Sequence, residues 1–342
     1  MVPRAMDFGA APDALIPARE ALDRFAEALA GVWPEVDAPA APKLGVAVSG
    51  GGDSTALLLL AAAALPGRVE AATVDHGLRP ESAREAADVA RLCARLAVPH
   101  ATLPVSVAQG NLQDAARRAR YAALEAWGAE QGLGAVAVAH HADDQAETLV
   151  MRLNRASGVA GLAGVRARGR IPGGELPLLR PLLEWRRAEL ADVVRAAGIA
   201  AVDDPSNADP RFDRVRVRQA LGRADWLDVG AVARSAAHLA DADAALSWSA
   251  DMEFRARVKR DPFGMTYRPM APKAIALRVM ARIVAELDGA EPRGGAVARL
   301  FEALAAGEPA SIGALVVRPN AGGWSFHKSP VRRAKGHKET PS

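Results

Sequence analysis

The sequence predicts an α/β chain, a doubly wound parallel sheet followed by a smaller, mainly helical domain. Short apolar runs alternate with helical periodicity from residue 44 to about residue 154, the pattern of right-handed βαβ units. The runs, such as "AVAVA" at 135–139, show no polar alternation, as strands covered on both faces require. Beyond residue 190 helical signals take over until a final hairpin pattern.

In chain order, residues 1–42 are rich in Ala and Pro, with an amphipathic helix expected over 13–30 and a Pro-rich linker after it. Strands are expected at 44–48, 69–74, 100–105 and 135–139, with helices at 54–64, 81–96, 111–131 and 142–154. Helices at 186–197, 214–222, 228–258, 272–287 and 294–306 precede hairpin strands near 314–318 and 323–327. The expected domains are 43–222 and 223–327, with a basic, disordered tail over 328–342. No internal repeat is present.

At 342 residues and half apolar, the chain can bury a core in two domains. A single cysteine, Cys93, excludes a disulfide framework and fits a reducing compartment. The longest apolar run, "ALLLLAAAAL", is ten residues, short of the roughly 18–20 of a membrane span. With no signal-peptide pattern either, the expectation is a cytoplasmic protein with no membrane partner. Net charge is +3, yet residues 211–223 and 327–342 carry +4 each, which leaves −5 for the rest. Basicity concentrated in this way suits a phosphate-backbone surface, while a solvated helix face and a loose tail give the same count.

The chemistry gathers at strand ends. Ser49, Gly50, Gly51, Gly52, Asp53 and Ser54 join the first strand to its helix. Glycines there let backbone N–H groups close on an anion at a helix N-terminus, and Ser49 and Ser54 add hydroxyls. Asp53 would repel a bound phosphate unless a divalent cation, Mg²⁺ by its habit of sharing a carboxylate with phosphates, lay between them. The loop has neither the Walker lysine nor the dinucleotide G-x-G-x-x-G spacing.

Asp75, His76 and Arg79 end the second strand. The fourth ends in "AHHADDQAET", where Asp143 and Asp144 fall four and three residues before Glu147 on one helix face. Three acids after His140 and His141 exceed what helix capping needs; they suit a cationic amine, and a metal is the alternative, although the H-E-x-x-H spacing is absent. In "AARRARYAAL", Arg117 and Arg120 are three apart and face either solvent or a transferring phosphate. Arg214 and Arg218, four apart, present a phosphate face after the turn "DDPSNADP".

S-G-G-G-D-S at 49–54, V-D-H-G-L-R at 74–79, A-R-x-x-R-Y at 116–121, H-H-A-D-D-Q-A-E-T at 140–148, R-P-L-L at 180–183 and D-P-S-N at 204–207 together resemble the tRNA(Ile)-lysidine synthases. These are pyrophosphate-loop ATPases of the adenine nucleotide alpha hydrolase-like fold. The likeness covers residues 40–222. It implies a ligase that joins free L-lysine to carbon 2 of the wobble cytidine of the CAU-anticodon isoleucine tRNA, through an adenylated cytidine, and so changes codon reading from AUG to AUA. ATP and Mg²⁺ are the implied cofactors, and a homodimer is a further expectation.

By position in these motifs, the 49–54 loop with Asp75 and His76 would bind ATP, Asp53 would hold the metal, and Arg117 would act at the α-phosphate. Asp143, Asp144 and Glu147 would hold lysine, and Arg120, Arg155, Arg214 and Arg218 would bind tRNA. Free lysine, with a pKa of ~10.4, costs roughly 4.6 kcal/mol to supply neutral at pH 7, so the acids serve recognition first and proton acceptance second. Two departures stand out: Ala156 follows Arg155 and Val215 follows Arg214, where the family usually has Gly and Asn. A tRNA thiolase of the same superfamily is the nearest rival, and a single cysteine argues against it.

Overall fold

A computed structural model describes residues 15–38, 41–77, 80–106, 112–200 and 213–329. Arg79, the D-P-S-N turn and most of the basic tail lie outside them. The chain divides into two compact units, residues 1–240 and 241–342. The division falls inside a long helix, whereas the sequence suggested a boundary near 222.

In the first unit, α1 (Arg19–Val32) precedes β1 (Leu44–Ala47), α2 (Gly52–Ala64), β2 (Val69–Asp75), α3 (Pro80–Arg95), β3 (His100–Pro104), α4 (Leu112–Glu130), β4 (Ala135–Ala137) and α5 (Ala142–Leu153). The short α6 (Val159–Leu162), β5 (Arg168–Arg170), β6 (Pro177–Leu179), α7 (Arg187–Ala196), α8 (Asp213–Arg223) and α9 (Val229–Arg257) follow. The sheet order is β3-β2-β1-β4-β6-β5. All neighbours are parallel except β5 with β6.

Neither β5 nor β6 was expected from the sequence. Each is three residues long, β6 starts on a proline, and no periodicity can show in so short a run. Their place in the sheet comes from pairing: Leu178 and Leu179 sit in parallel register with Val136 and Ala137.

The period-2 pleat of β1 feeds two cores. Leu44, Val46 and Val48 pack with Leu57–Leu60 of α2 and with Leu190, Val193 and Val194 of α7, while Ala47 faces Tyr121, Leu124 and Trp127 of α4. Gly45 is forced by the second face, because a Cβ there would lie 2.7 Å from Leu133 and 2.9 Å from Trp127. With Leu57 to Leu60 all fully buried, α2 is apolar on every side. Because the chain runs from β1 outward to β3 and then returns to β4, the carboxyl ends of β1 and β4 form the switch point where ligands bind in such sheets.

The second unit holds the end of α9, then β7 (Val258–Asp261), β8 (Gly264–Tyr267), α10 (Lys273–Asp288), α11 (Gly294–Ala305), β9 (Ala310–Ile312), β10 (Leu315–Asn320) and β11 (Gly323–Lys328). Its strands make an antiparallel sheet in the order β7-β8-β11-β10-β9. The sequence suggested helices and one hairpin; β7, β8 and β9 are the additions. Tyr267, Phe326, Met280 and Ile283 fill its core.

Ala156 ends the α5 segment at φ +50° and is exposed. This left-handed conformation strains a residue with a Cβ and suits glycine. Ala156→Gly is expected to stabilise the protein by about 1 kcal/mol and raise Tm by roughly 2–4 °C in a thermal melt. A lower Tm would show that chain entropy outweighs the relief of strain.

Candidate active site

The glycine turn is held by its own serines. Gly50 takes φ +85°, Ser49 N–H donates to Ser54 Oγ at 3.1 Å, and Ser54 Oγ donates to the Gly51 carbonyl at 3.0 Å. Gly51, Gly52, Asp53, Ser49 and Ser54 line a cavity of about 670 Å³ with His140, Asp144, Arg120, Arg187, Arg195, Arg214 and Arg218. Ala191, Val194 and Ile199 of the α7 segment form its apolar wall. The strand-end motifs of β1 and β4 thus meet in one space, as a switch-point site requires.

Behind the cavity residues Asp53 and Asp144 is His141, 2 % exposed. Its Nε2 is 3.4 Å from Asp53 Oδ2 and 3.5 Å from Asp144 Oδ2, and its Nδ1 is 3.6 Å from Asp143 Oδ2. Burial alone would lower its pKa, but Asp143, Asp53 and Asp144 together carry it up to about 9. His141 is therefore an imidazolium at neutral pH, the centre of three carboxylates. In return, burial opposes ionisation of Asp53, and His141, Arg187 and Arg218 hold its carboxyl below the usual range.

His140, next in the chain, has the opposite fate. Its Nδ1 accepts from Arg180 Nε at 3.3 Å. Burial, with Arg180, Arg214 and Arg120 nearby and only Asp144 opposing, brings its pKa to about 4. It is a neutral imidazole on the cavity wall. Arg180 is itself buried, and its Nη1 donates to the Arg166 carbonyl at 2.7 Å.

The three acids separate by task. Asp143 Oδ2 accepts from the Arg187 N–H at 2.8 Å, and Arg186 reaches both its oxygens at 3.2 and 3.3 Å, so it fastens the start of α7. Asp144 caps α5 through the His141 N–H at 3.2 Å and accepts from Arg214 Nη2 at 2.7 Å. Glu147, 1 % exposed, accepts from Arg214 Nε at 2.7 Å and Arg218 Nε at 2.5 Å. Arg214 and Arg218, expected on a tRNA phosphate face, are turned inward to these acids. A buried carboxylate without them would be costly, and their spacing of four on α8 matches the spacing of three from Asp144 to Glu147 on α5. Val215, between them, is buried.

Other expected residues lie elsewhere. Asp75 accepts the Gly77 N–H at 2.9 Å and the Ser82 hydroxyl at 2.7 Å, which hold its pKa down, and neither it nor His76 lines the cavity. Burial, with Arg120 nearby, lowers His76. Arg117 is exposed with its guanidinium 5.0 Å from the Tyr121 ring centroid, whereas Arg120 lines the cavity. Arg155 is exposed and meets Asp213 at 3.4 Å. Nothing in the sequence marks a role for the cavity residues Arg187 and Arg195, or for Arg180 behind His140, and His140 was expected only within the alternative metal set. R-P-L-L contains Arg180 but does not reveal what it holds. Among the described residues no three His, Cys, Asp or Glu side chains converge as a metal site.

The fold and the glycine turn define a class, the ATP-utilising PP-loop enzymes. Residues 22–224 match the family described as PP-loop domain. A solved structure, the U34-tRNA thiolase NcsA from Methanococcus maripaludis with its [4Fe-4S] cluster, shares the fold at a TM-score of 0.51 and 14% identity, over 65% of this chain and 79% of that one. The chain is 47% identical to the tRNA(Ile)-lysidine synthase of Novosphingobium aromaticivorans over 84% of its own length and 90% of the relative's. It is 40% identical to that of Zymomonas mobilis over 90% and 94%. The chain belongs to the tRNA(Ile)-lysidine synthase family.

The imidazolium sets a pH window. With a folded pKa of about 9 against an unfolded value near 6.5, His141 adds stability that is fully present below pH 6.5 and lost as pH rises through 9, roughly 3 kcal/mol in all. Urea unfolding at pH 6, 7.5 and 9.5 should show this fall in the parent protein and a flatter profile in His141→Gln. Parallel profiles would mean that His141 is neutral in the folded state.

Proposed function

We propose that this ATP-dependent ligase joins free L-lysine to carbon 2 of the wobble cytidine of the CAU-anticodon isoleucine tRNA. One observation carries the reading. A glycine turn suited to an anion and Asp144, the cavity-facing member of a carboxylate cluster suited to an amine, line the same cavity at the β1/β4 switch point. In the first step the cytosine oxygen on carbon 2 attacks the α-phosphorus of ATP, and pyrophosphate leaves. The ε-amine of lysine then attacks carbon 2, AMP departs with the oxygen, and the amine gives up a proton.

The backbone of the turn, with Ser49 and Ser54, receives the phosphates at the N-terminus of α2. Mg²⁺ fits here, since Asp53 offers a carboxylate to the cavity beside that turn; bound there it would screen Asp53 from the phosphates and polarise them. Because Arg120 lines the cavity and Arg117 does not, Arg120 takes the place beside the α-phosphate that the sequence suggested for Arg117. Asp144, which lines the cavity, receives the amine, with buried Glu147 behind it; both carboxylates are held by Arg214, and Glu147 also by Arg218, while Asp143 is committed to α7. Arg155 and the exposed Arg216 and Arg223 provide cations for the RNA backbone.

The thiolase reading has no chemistry available to it. Cys93 is the sole thiol, it is buried in α3, and burial pushes it up to about 12.

Labelled lysine, ATP and Mg²⁺ should give acid-stable label on an isoleucine tRNA transcript with a CAU anticodon and none on the methionine tRNA sharing it. Cys93→Ala is expected to keep that activity, and its loss would reopen sulfur chemistry. Asp144→Asn should raise KM for lysine by at least about tenfold while tRNA-dependent pyrophosphate release stays near the parent rate. Equal lysine KM in the variant would remove Asp144 from the amine site.

A further inference from the structure

Adjacent arginines at the start of α7 are treated differently. Arg186 is spent within the protein, its guanidinium on Asp143 and its backbone N–H on Glu189 Oε2 at 2.6 Å. Arg187 has its own N–H fixed by Asp143 at 2.8 Å, yet none of the described residues accepts from its guanidinium within hydrogen-bonding or ion-pair distance, and it lines the cavity with Asp53 and the glycine turn. The cavity's other cations on α7 and α8 are engaged: Arg195 by Asp192, and Arg214 and Arg218 by Asp144 and Glu147. Arg120 belongs to α4, which packs on the other face of the sheet from α2 and α7.

We infer that Arg187 binds the pyrophosphate end of ATP, closing from α7 on the phosphates that the glycine turn holds from α2, and that Asp143 is the positioning residue that sets it there. The inference rests on the ATP-dependent adenylation proposed above. A planar guanidinium suits the paired oxygens of β- and γ-phosphates. As the bond from the α-phosphorus to the bridging oxygen breaks, the electron pair goes to pyrophosphate, and a fixed cation stabilises that growing charge. The closeness of Arg187 to Asp53, whose carboxylate it helps keep ionised, places it beside the proposed metal position. The R-x-E-L segment at 187–190 thereby gains a role beyond starting a helix: Glu189 caps α7 while Arg187 faces the ligand.

Inorganic pyrophosphate with Mg²⁺, titrated calorimetrically into the full chain, tests this without turnover. Arg187→Ala and the more conservative Arg187→Gln should weaken it by about tenfold or more, with Arg187→Lys between them and the parent. KM for ATP in tRNA-dependent pyrophosphate release should rise in step, with KM for lysine unchanged within about twofold. Asp143→Asn should move pyrophosphate affinity in the same direction by a smaller factor. Pyrophosphate binding within twofold of the parent in a folded Arg187→Gln protein would overturn the inference. A parent that binds pyrophosphate through Arg187 but releases none from ATP on adding tRNA would keep the subsite and remove the adenylation reading.

Discussion

One buried cation organises this site. His141 stands where β4 ends and α5 begins, and its imidazolium draws Asp53 of the glycine turn and Asp143 and Asp144 of the α5 first turn to a common point. Three carboxylates so close would repel one another strongly in a medium poorer than water. The charge on His141 makes their meeting favourable, and each acid is then free to bind a second partner on its outer side. Asp143 takes α7, Asp144 takes α8 through Arg214, and the glycine turn is tied to both through His141. The glycine turn and the first turn of α5 are joined through a single ring.

Around that ring the charges are stacked in alternation. Glu147 is deeper than Asp144 and is held by two guanidiniums in place of one. Such a network is worth little as net stability, because the desolvation of each ion offsets most of the attraction. Its value is positional. It fixes α8 against α5 and orients acids whose arginine partners are themselves 30 to 43% exposed. His140 contributes differently: kept neutral by burial and by Arg180, it adds a polar wall without another charge.

Much of this was legible in the chain. Glycine, aspartate and serine at the end of an apolar strand can be read from sequence because local backbone chemistry decides their meaning: only Gly50 in its left-handed turn lets the strand enter the helix at that angle. The i, i+3 spacing of Asp144 and Glu147 is likewise local, and the structure places both on one face of α5. The short strands β5 and β6 were not legible, since a three-residue strand is defined by its neighbours. The five-stranded sheet of the second unit was hidden for a similar reason, its outer strands being brief, three residues in β9 and four, mostly charged, in β7.

The sequence by itself determined the alternation of strand and helix, the position of the anion turn and the set of charged residues assembled near it. These follow from periodicity and from the conformations that individual residues permit. Tertiary structure alone decided which charge faces which. Arg186 and Arg187 are identical in type and adjacent in the chain, yet one is bound within the protein and the other faces the cavity. Arg117 and Arg120 divide the same way between surface and site. His140 and His141 acquire opposite protonation from surroundings supplied by four helices and by Arg180 after β6. Side-chain charge is encoded locally, but its partner comes from distant chain segments through packing, and in a medium of low polarizability the partner governs the chemistry.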